Sequence, residues 1–179
     1  MYIKIDFERE TELEDSKFYG EIALPEKWLE QNVFGAEEMF VCQIRADMLN
    51  RVQRGALPFE NGTLFFFIDL KKAPYKAIVR YFDGDMEAYC CFNEEMESEV
   101  DVLTPLAIDF TDSPDGASGR MLFTDSNTDG LLCLLKIDYD EDDPVLPFNG
   151  DVYFLISPED FEKGNFHNVK FKTAIKNEY

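Results

Sequence analysis

The sequence predicts a mainly β protein: an antiparallel β roll or partly closed barrel with a few short helices, built from two similar halves. Three observations lead there. Short apolar runs recur along the chain, separated by Gly, Pro, Asn and Asp signals, and no long segment keeps a helical period. Several of those runs alternate in the period of a strand. Two stretches also echo each other. Phe40-Val41-Cys42-Gln43-Ile44-Arg45 leads through a polar link to Leu57-Pro58-Phe59, Asn61-Gly62 and the apolar run Thr63 to Ile68. Leu131-Leu132-Cys133-Leu134-Leu135-Lys136 leads through an acidic link to Leu146-Pro147-Phe148, Asn149-Gly150 and the apolar run Asp151 to Ile156. The expectation is an internal duplication over about 39–68 and 130–156, with Cys42 and Cys133 equivalent, inside one domain spanning 1–179.

Taken in order, Tyr2 to Phe7 alternates as a strand, and Glu8 to Asp15 is too charged to be buried. Phe18 to Ala23 reads as a second strand. Pro25 suits the first turn of a short helix over 26–31 that carries Trp28 and Leu29 inward. Met39 to Arg45 is a strand, and Asp47 is placed to cap a helix running to Val52 and ending near Gly55. Asn61-Gly62 is a tight-turn signal feeding Thr63 to Leu70, a strand with almost no polar alternation and therefore covered on both faces. In Tyr75 to Phe82, Ala77, Val79 and Tyr81 share one face, and Lys76, Ile78, Arg80 and Phe82 the other. Asp83-Gly84 turns the chain into Ala88 to Phe92, which suggests a continuing meander. Asn93 to Glu99 is an acidic break before the strand Val100 to Phe110, and Thr111 to Gly119 is loop. Leu131 to Tyr139 and Asp151 to Ile156 are strands. Ser157-Pro158-Glu159-Asp160 reads as a capped helix start, Gly164 ends that helix, and Val169 to Thr173 returns as a strand.

With 179 residues, the chain suits a single core. Its 37 acidic against 17 basic side chains leave a formal net charge of −20. Such a field repels phosphate backbones and anionic membranes, so nucleic acid and membrane are disfavoured, and a basic protein surface or a cation is favoured. All four cysteines, Cys42, Cys90, Cys91 and Cys133, sit in apolar strand-like runs, the setting of buried free thiols. The first residues lack a basic stretch followed by an apolar one, and no run approaches a membrane span, so the cytoplasm is the expected location.

The order of these elements resembles the YwqG-like family, bacterial proteins of unassigned biochemical function. The likeness covers roughly residues 18–173. It is carried by Phe40 to Ile44, Leu57-Pro58 through Leu64 to Asp69, Leu131 to Asp138, Gly150 to Ile156, Pro158 to Phe161 and Asn165 to Val169. The resemblance implies a mainly β roll and no established enzyme activity. The chain departs from the family where Trp28 lacks a following Pro, and where Asp142-Asp143-Pro144 stands in place of a Trp-Gly pair.

Candidate chemistry is sparse. Asp125, Asn127 and Asp129 place oxygen ligands at alternate positions ahead of Gly130, as a calcium loop opens, but the twelfth position is Lys136 where a bidentate Glu belongs. The reading is an Asx-rich turn and no metal site. Asp138, Asp140, Glu141, Asp142 and Asp143 put five carboxylates within six residues, a solvated loop suited to contact a basic partner. His167, the one histidine, stands at an expected strand start. None of the cysteines has a polar neighbourhood that suggests a base, and no phosphate loop or zinc spacing is present, so no catalytic residue and no cofactor are assigned. The function expected is non-enzymatic: an acidic surface engaging a basic protein, as immunity proteins neutralise a toxin. The alternative is a small-ligand or divalent-cation binding module, and an enzyme of unidentified reaction stands third.

Overall fold

A computed structural model describes residues 1–25, 27–28, 37–84, 89–91, 104–124, 130–139 and 146–175, with backbone alone at 23, 89–91, 124 and 175. The strands are β1 (Tyr2–Asp6), β2 (Lys17–Phe18), β3 (Ala23–Pro25), β4 (Glu38–Arg45), β5 (Thr63–Asp69), β6 (Lys76–Phe82), β7 (Tyr89–Cys91), β8 (Leu106–Thr111), β9 (Arg120–Thr124), β10 (Leu132–Ile137), β11 (Gly150–Ile156) and β12 (Lys170–Ile175). Two short helices, α1 (Ala46–Val52) and α2 (Pro158–Glu162), and a 3-10 turn at Phe166–Asn168 join them. Ten strands form one sheet in the order β12-β11-β10-β9-β1-β8-β2-β4-β5-β6, and β3 pairs with β7 separately. Every pairing is antiparallel.

The ten-stranded sheet curls until its end strands β6 and β12 approach, so that it is nearly a closed barrel. Aromatic side chains fill the seam. Phe59 stacks on Tyr81 with ring centroids 3.9 Å apart and meets Phe166 at 6.0 Å, while Phe148 bridges Tyr75 at 5.5 Å and Phe171 at 5.3 Å. Aromatic rings suit this task because edge-to-face and offset contacts add to the area they bury.

The alternation of β5 explains the two cores. Leu64, Phe66 and Ile68 point into the main core with Ile3, Ile44, Ile108, Leu122, Leu135 and Phe154. Phe65 and Phe67 point the other way, into a smaller core with Ile22, Leu24 and Phe82, against which Trp28, Phe40 and Ile78 pack. The strand is buried on both faces, as its unbroken apolar run requires. The facing of β6 also follows its alternation, with Val79 in one core and Phe82 in the other.

Several expectations are corrected. The second expected strand ends at Phe18 because Tyr19 (φ 55) and Gly20 (φ 75) turn the chain in the left-handed region, and β3 forms after the turn. A Cβ on Gly20 would lie 2.6 Å from Pro105 Cβ, so the close approach also requires glycine. Pro25 is the last residue of β3, and the described residues 27–28 that follow it are helical, with Trp28 packed on the smaller core as expected; the rest of the expected helix over 26–31 lies outside the described residues. The N-cap of α1 is Arg45, and Asp47 lies in the first turn, paired with Arg45 and Arg51. The meander stops at β6, since β7 pairs with β3 through Leu24 opposite Cys90. Strand β9, absent from the expected elements, bridges β1 and β10. His167 lies in the 3-10 turn ahead of β12.

The two echoing segments each become an antiparallel strand pair with one extra residue in the first strand. The register shifts between Phe40 and Cys42 in one and between Cys133 and Leu135 in the other. Both cysteines are buried and free. Their places differ, however: Cys42 follows its bulge, opposite Phe66, and Cys133 precedes its bulge, opposite Leu155. The residue just past the bulge is Cys42 in β4 and Leu135 in β10, so the two cysteines do not take the same place relative to the bulge, as their expected equivalence required.

Candidate functional site

Of the five carboxylates expected to form the contact surface, Asp138 is described, and Asp140, Glu141, Asp142 and Asp143 lie outside the described residues, as do Asp125, Asn127 and Asp129. Asp138 stands just past β10 with its backbone N–H donating to Gly119 O at 2.8 Å. Its carboxylate pairs closely with Lys136, whose ammonium also lies 3.7 Å from Asp151 Oδ2. Asp151 accepts from the Tyr139 N–H at 2.9 Å and from the Tyr153 hydroxyl at 3.2 Å. Lys136 Nζ sits 5.7 Å from the centre of the Tyr153 ring.

This cluster lies on the outward face of β10 and β11 because Leu135, Ile137, Val152 and Phe154 take the inward positions. Partial burial lowers the Lys136 pKa, but the hydrogen bond and charge of Asp138, with Tyr153 and Asp151, outweigh it and raise the net value. Burial also raises the Tyr153 phenol, with Lys136 opposing and Asp151 and Asp138 adding to the rise. At neutral pH the group is therefore an ammonium held by two carboxylates beside a neutral phenol. It is an ion-pair network that joins the end of β10 to the start of β11.

A second acidic surface was legible only as charge. Residues 7–16 form a strap between β1 and β2 that carries Glu8, Glu10 and Glu12 exposed and Phe7 81% exposed. The strap is fixed from beneath. Lys17, 2% exposed, donates to Glu12 O at 2.9 Å, and the buried Gln43 amide donates to Leu13 O and Asp15 O, each at 2.7 Å. Arg9 pairs with Asp109 at 2.8 Å and donates to Ile108 O at 2.7 Å, while Asp6 Oδ1 accepts from the Glu8 and Arg9 N–H groups. The run from Glu8 to Asp15 reveals exposure, but nothing local to it reveals that a buried lysine and glutamine from neighbouring strands hold its carbonyls.

Nothing in the described interior favours nucleophilic chemistry. Burial pushes the Cys42 thiol well up, and the Arg120 charge only partly opposes this, so Cys42 is a thiol inside the core. Arg120 itself lies with its guanidinium 4.9 Å from the Phe18 ring centre and donates to Ser118 O at 3.1 Å. His167 is exposed. Among the described residues, no group of three or more His, Cys, Asp or Glu side chains could hold a metal ion. No family model matches the chain, and no curated protein matches it in sequence.

Proposed function

We propose that the protein is a non-enzymatic, cytoplasmic binding protein whose acidic surface engages a basic protein partner, in the manner of an immunity protein. The observation that carries this reading is the net charge of −20 combined with a strap that holds exposed carboxylates and Phe7 in one fixed arrangement. A preordered acidic surface attracts a basic partner over distance and loses less entropy on contact than a mobile one. No helix among the described residues is long and apolar enough to cross a membrane. The family resemblance adds no activity to this proposal.

The test begins with capture from native lysate on the immobilised protein at low and at high salt. A captured basic protein is then purified and titrated against the wild type and against Glu8→Gln/Glu10→Gln/Glu12→Gln. The reading expects at least a tenfold weaker complex for the triple variant at low salt, with its melting temperature unchanged or slightly raised. Equal affinity for the two proteins removes the strap from the contact. A purified protein that carries a stoichiometric small ligand and captures no basic protein favours a ligand-binding module instead.

A further inference from the structure

The pairing registers of the ten strands repeat about a twofold axis. Reading outward on one side, Phe18 pairs with Cys42, Cys42 with Phe66 and Phe66 with Val79. On the other side, Leu122 pairs with Leu135, Leu135 with Phe154 and Phe154 with Phe171. Under this correspondence Gly62 falls on Gly150, which aligns the two Asn-Gly turns. The irregularities correspond as well. Tyr19 (φ 55) donates its N–H to Val41 O at 3.0 Å, at the bulge of β4, and Phe123 (φ 50) lies between Leu122 and Thr124, whose partners Leu135 and Cys133 flank the bulge of β10. Bulky residues rarely take this conformation, so its appearance opposite both bulges is a specific coincidence.

The centre obeys the same axis. Strands β1 and β8 pair with Lys4 opposite Asp109, flanked by Ile3 opposite Phe110 and Ile5 opposite Ile108. Placing Ile3 on Ile108 and Ile5 on Phe110 turns each flanking pair into the other and leaves the Lys4–Asp109 pair in place. Strand β8 borders β2, and β1 borders β9. Phe66 and Phe154, which correspond, meet across the core with ring centroids 5.4 Å apart.

We infer that the chain is a tandem fusion of two copies of one five-stranded unit, β1-β2-β4-β5-β6 and β8-β9-β10-β11-β12, that exchange their first strands, so the surface joining the halves is that of a strand-exchanged homodimer. Exchange places β1 between the second copy's β8 and β9, and β8 between the first copy's β1 and β2. Such pairing is an economical route to a twofold dimer. The copies have diverged on their outer faces. Phe65, Phe67 and Phe82 of the first, covered by the smaller core, correspond to Tyr153, Leu155 and Ala174 of the second.

Saturation substitution of the full-length chain, scored by the fraction that stays folded, tests this. Position by position, the loss of folded protein along β2, β4, β5 and β6 should match that along β9, β10, β11 and β12 with Cys42 set on Leu135, and β1 should match β8 with Ile3 set on Ile108. The inference is overturned if β4 and β10 match best with Cys42 on Cys133, or if the profile of β1 matches β8 no better than it matches the other strands.

Discussion

Lys136 shows how much a single residue's role depends on its fold. In sequence it spoils a calcium loop by standing at the twelfth position; in space it is the cation between Asp138 and Asp151. Its raised pKa and that of Tyr153 set a sign for the alkaline limb. Groups whose folded pKa lies above the unfolded one stabilise fully below the unfolded value and lose that contribution as pH rises through the folded value. Melting temperature should therefore fall from about pH 10 upward. Lys136→Met/Tyr153→Phe should flatten that limb; an unchanged limb would show that other groups cause it. Ser157 makes a simpler case, because its cap was readable from the Ser-Pro-Glu-Asp order alone. Its Oγ accepts from the Asp160 N–H at 3.0 Å and donates to Asp160 Oδ2 at 2.9 Å. Ser157→Ala should cost about 1 kcal/mol, read by thermal melting as a drop of roughly 2–4 °C. Asp47 could not be assigned in the same way, since Arg45 and Arg51 compete for its carboxylate.

At the scale of elements, periodicity was a sound guide wherever one face meets a core. The uninterrupted apolar run of β5 required cover on both faces, and the structure supplies two cores. Phe66→Ala and Phe67→Ala should each destabilise by about 3–5 kcal/mol, since both side chains are buried. A cost below about 1 kcal/mol for Phe67→Ala in chemical denaturation would mean that the smaller core contributes little. Pairing partners were less legible than strands. Strand β7 follows β6 in the chain but pairs with β3, whose Leu24 lies in the smaller core with Phe65 and Phe67. Strand β9 escaped notice because Arg120 breaks its apolar pattern, although Arg120 faces inward over Phe18. The bulges were invisible in sequence, and they explain why aligning Cys42 with Cys133 misplaces the register.

For the whole molecule, charge is the property most directly read from composition and the one that most constrains function. Twenty uncompensated negative charges repel one another, and 0.1 M salt screens exposed charges beyond about 10 Å. The melting temperature should rise from low to moderate salt; a fall would show that attractive pairs such as Arg80–Glu38, joined at 2.8 Å, outweigh the repulsion. Binding should respond in the opposite direction, because screening removes the attraction that steers a basic partner. The most direct test of the proposed function is the salt dependence of affinity for a purified basic partner, measured by calorimetry on the wild type and on Asp140→Asn/Glu141→Gln/Asp142→Asn/Asp143→Asn combined with Glu8→Gln/Glu10→Gln/Glu12→Gln. The account predicts wild-type affinity that falls steeply as salt rises, and a neutralised variant that binds weakly with a shallow slope. Equal affinities with equal slopes would contradict it.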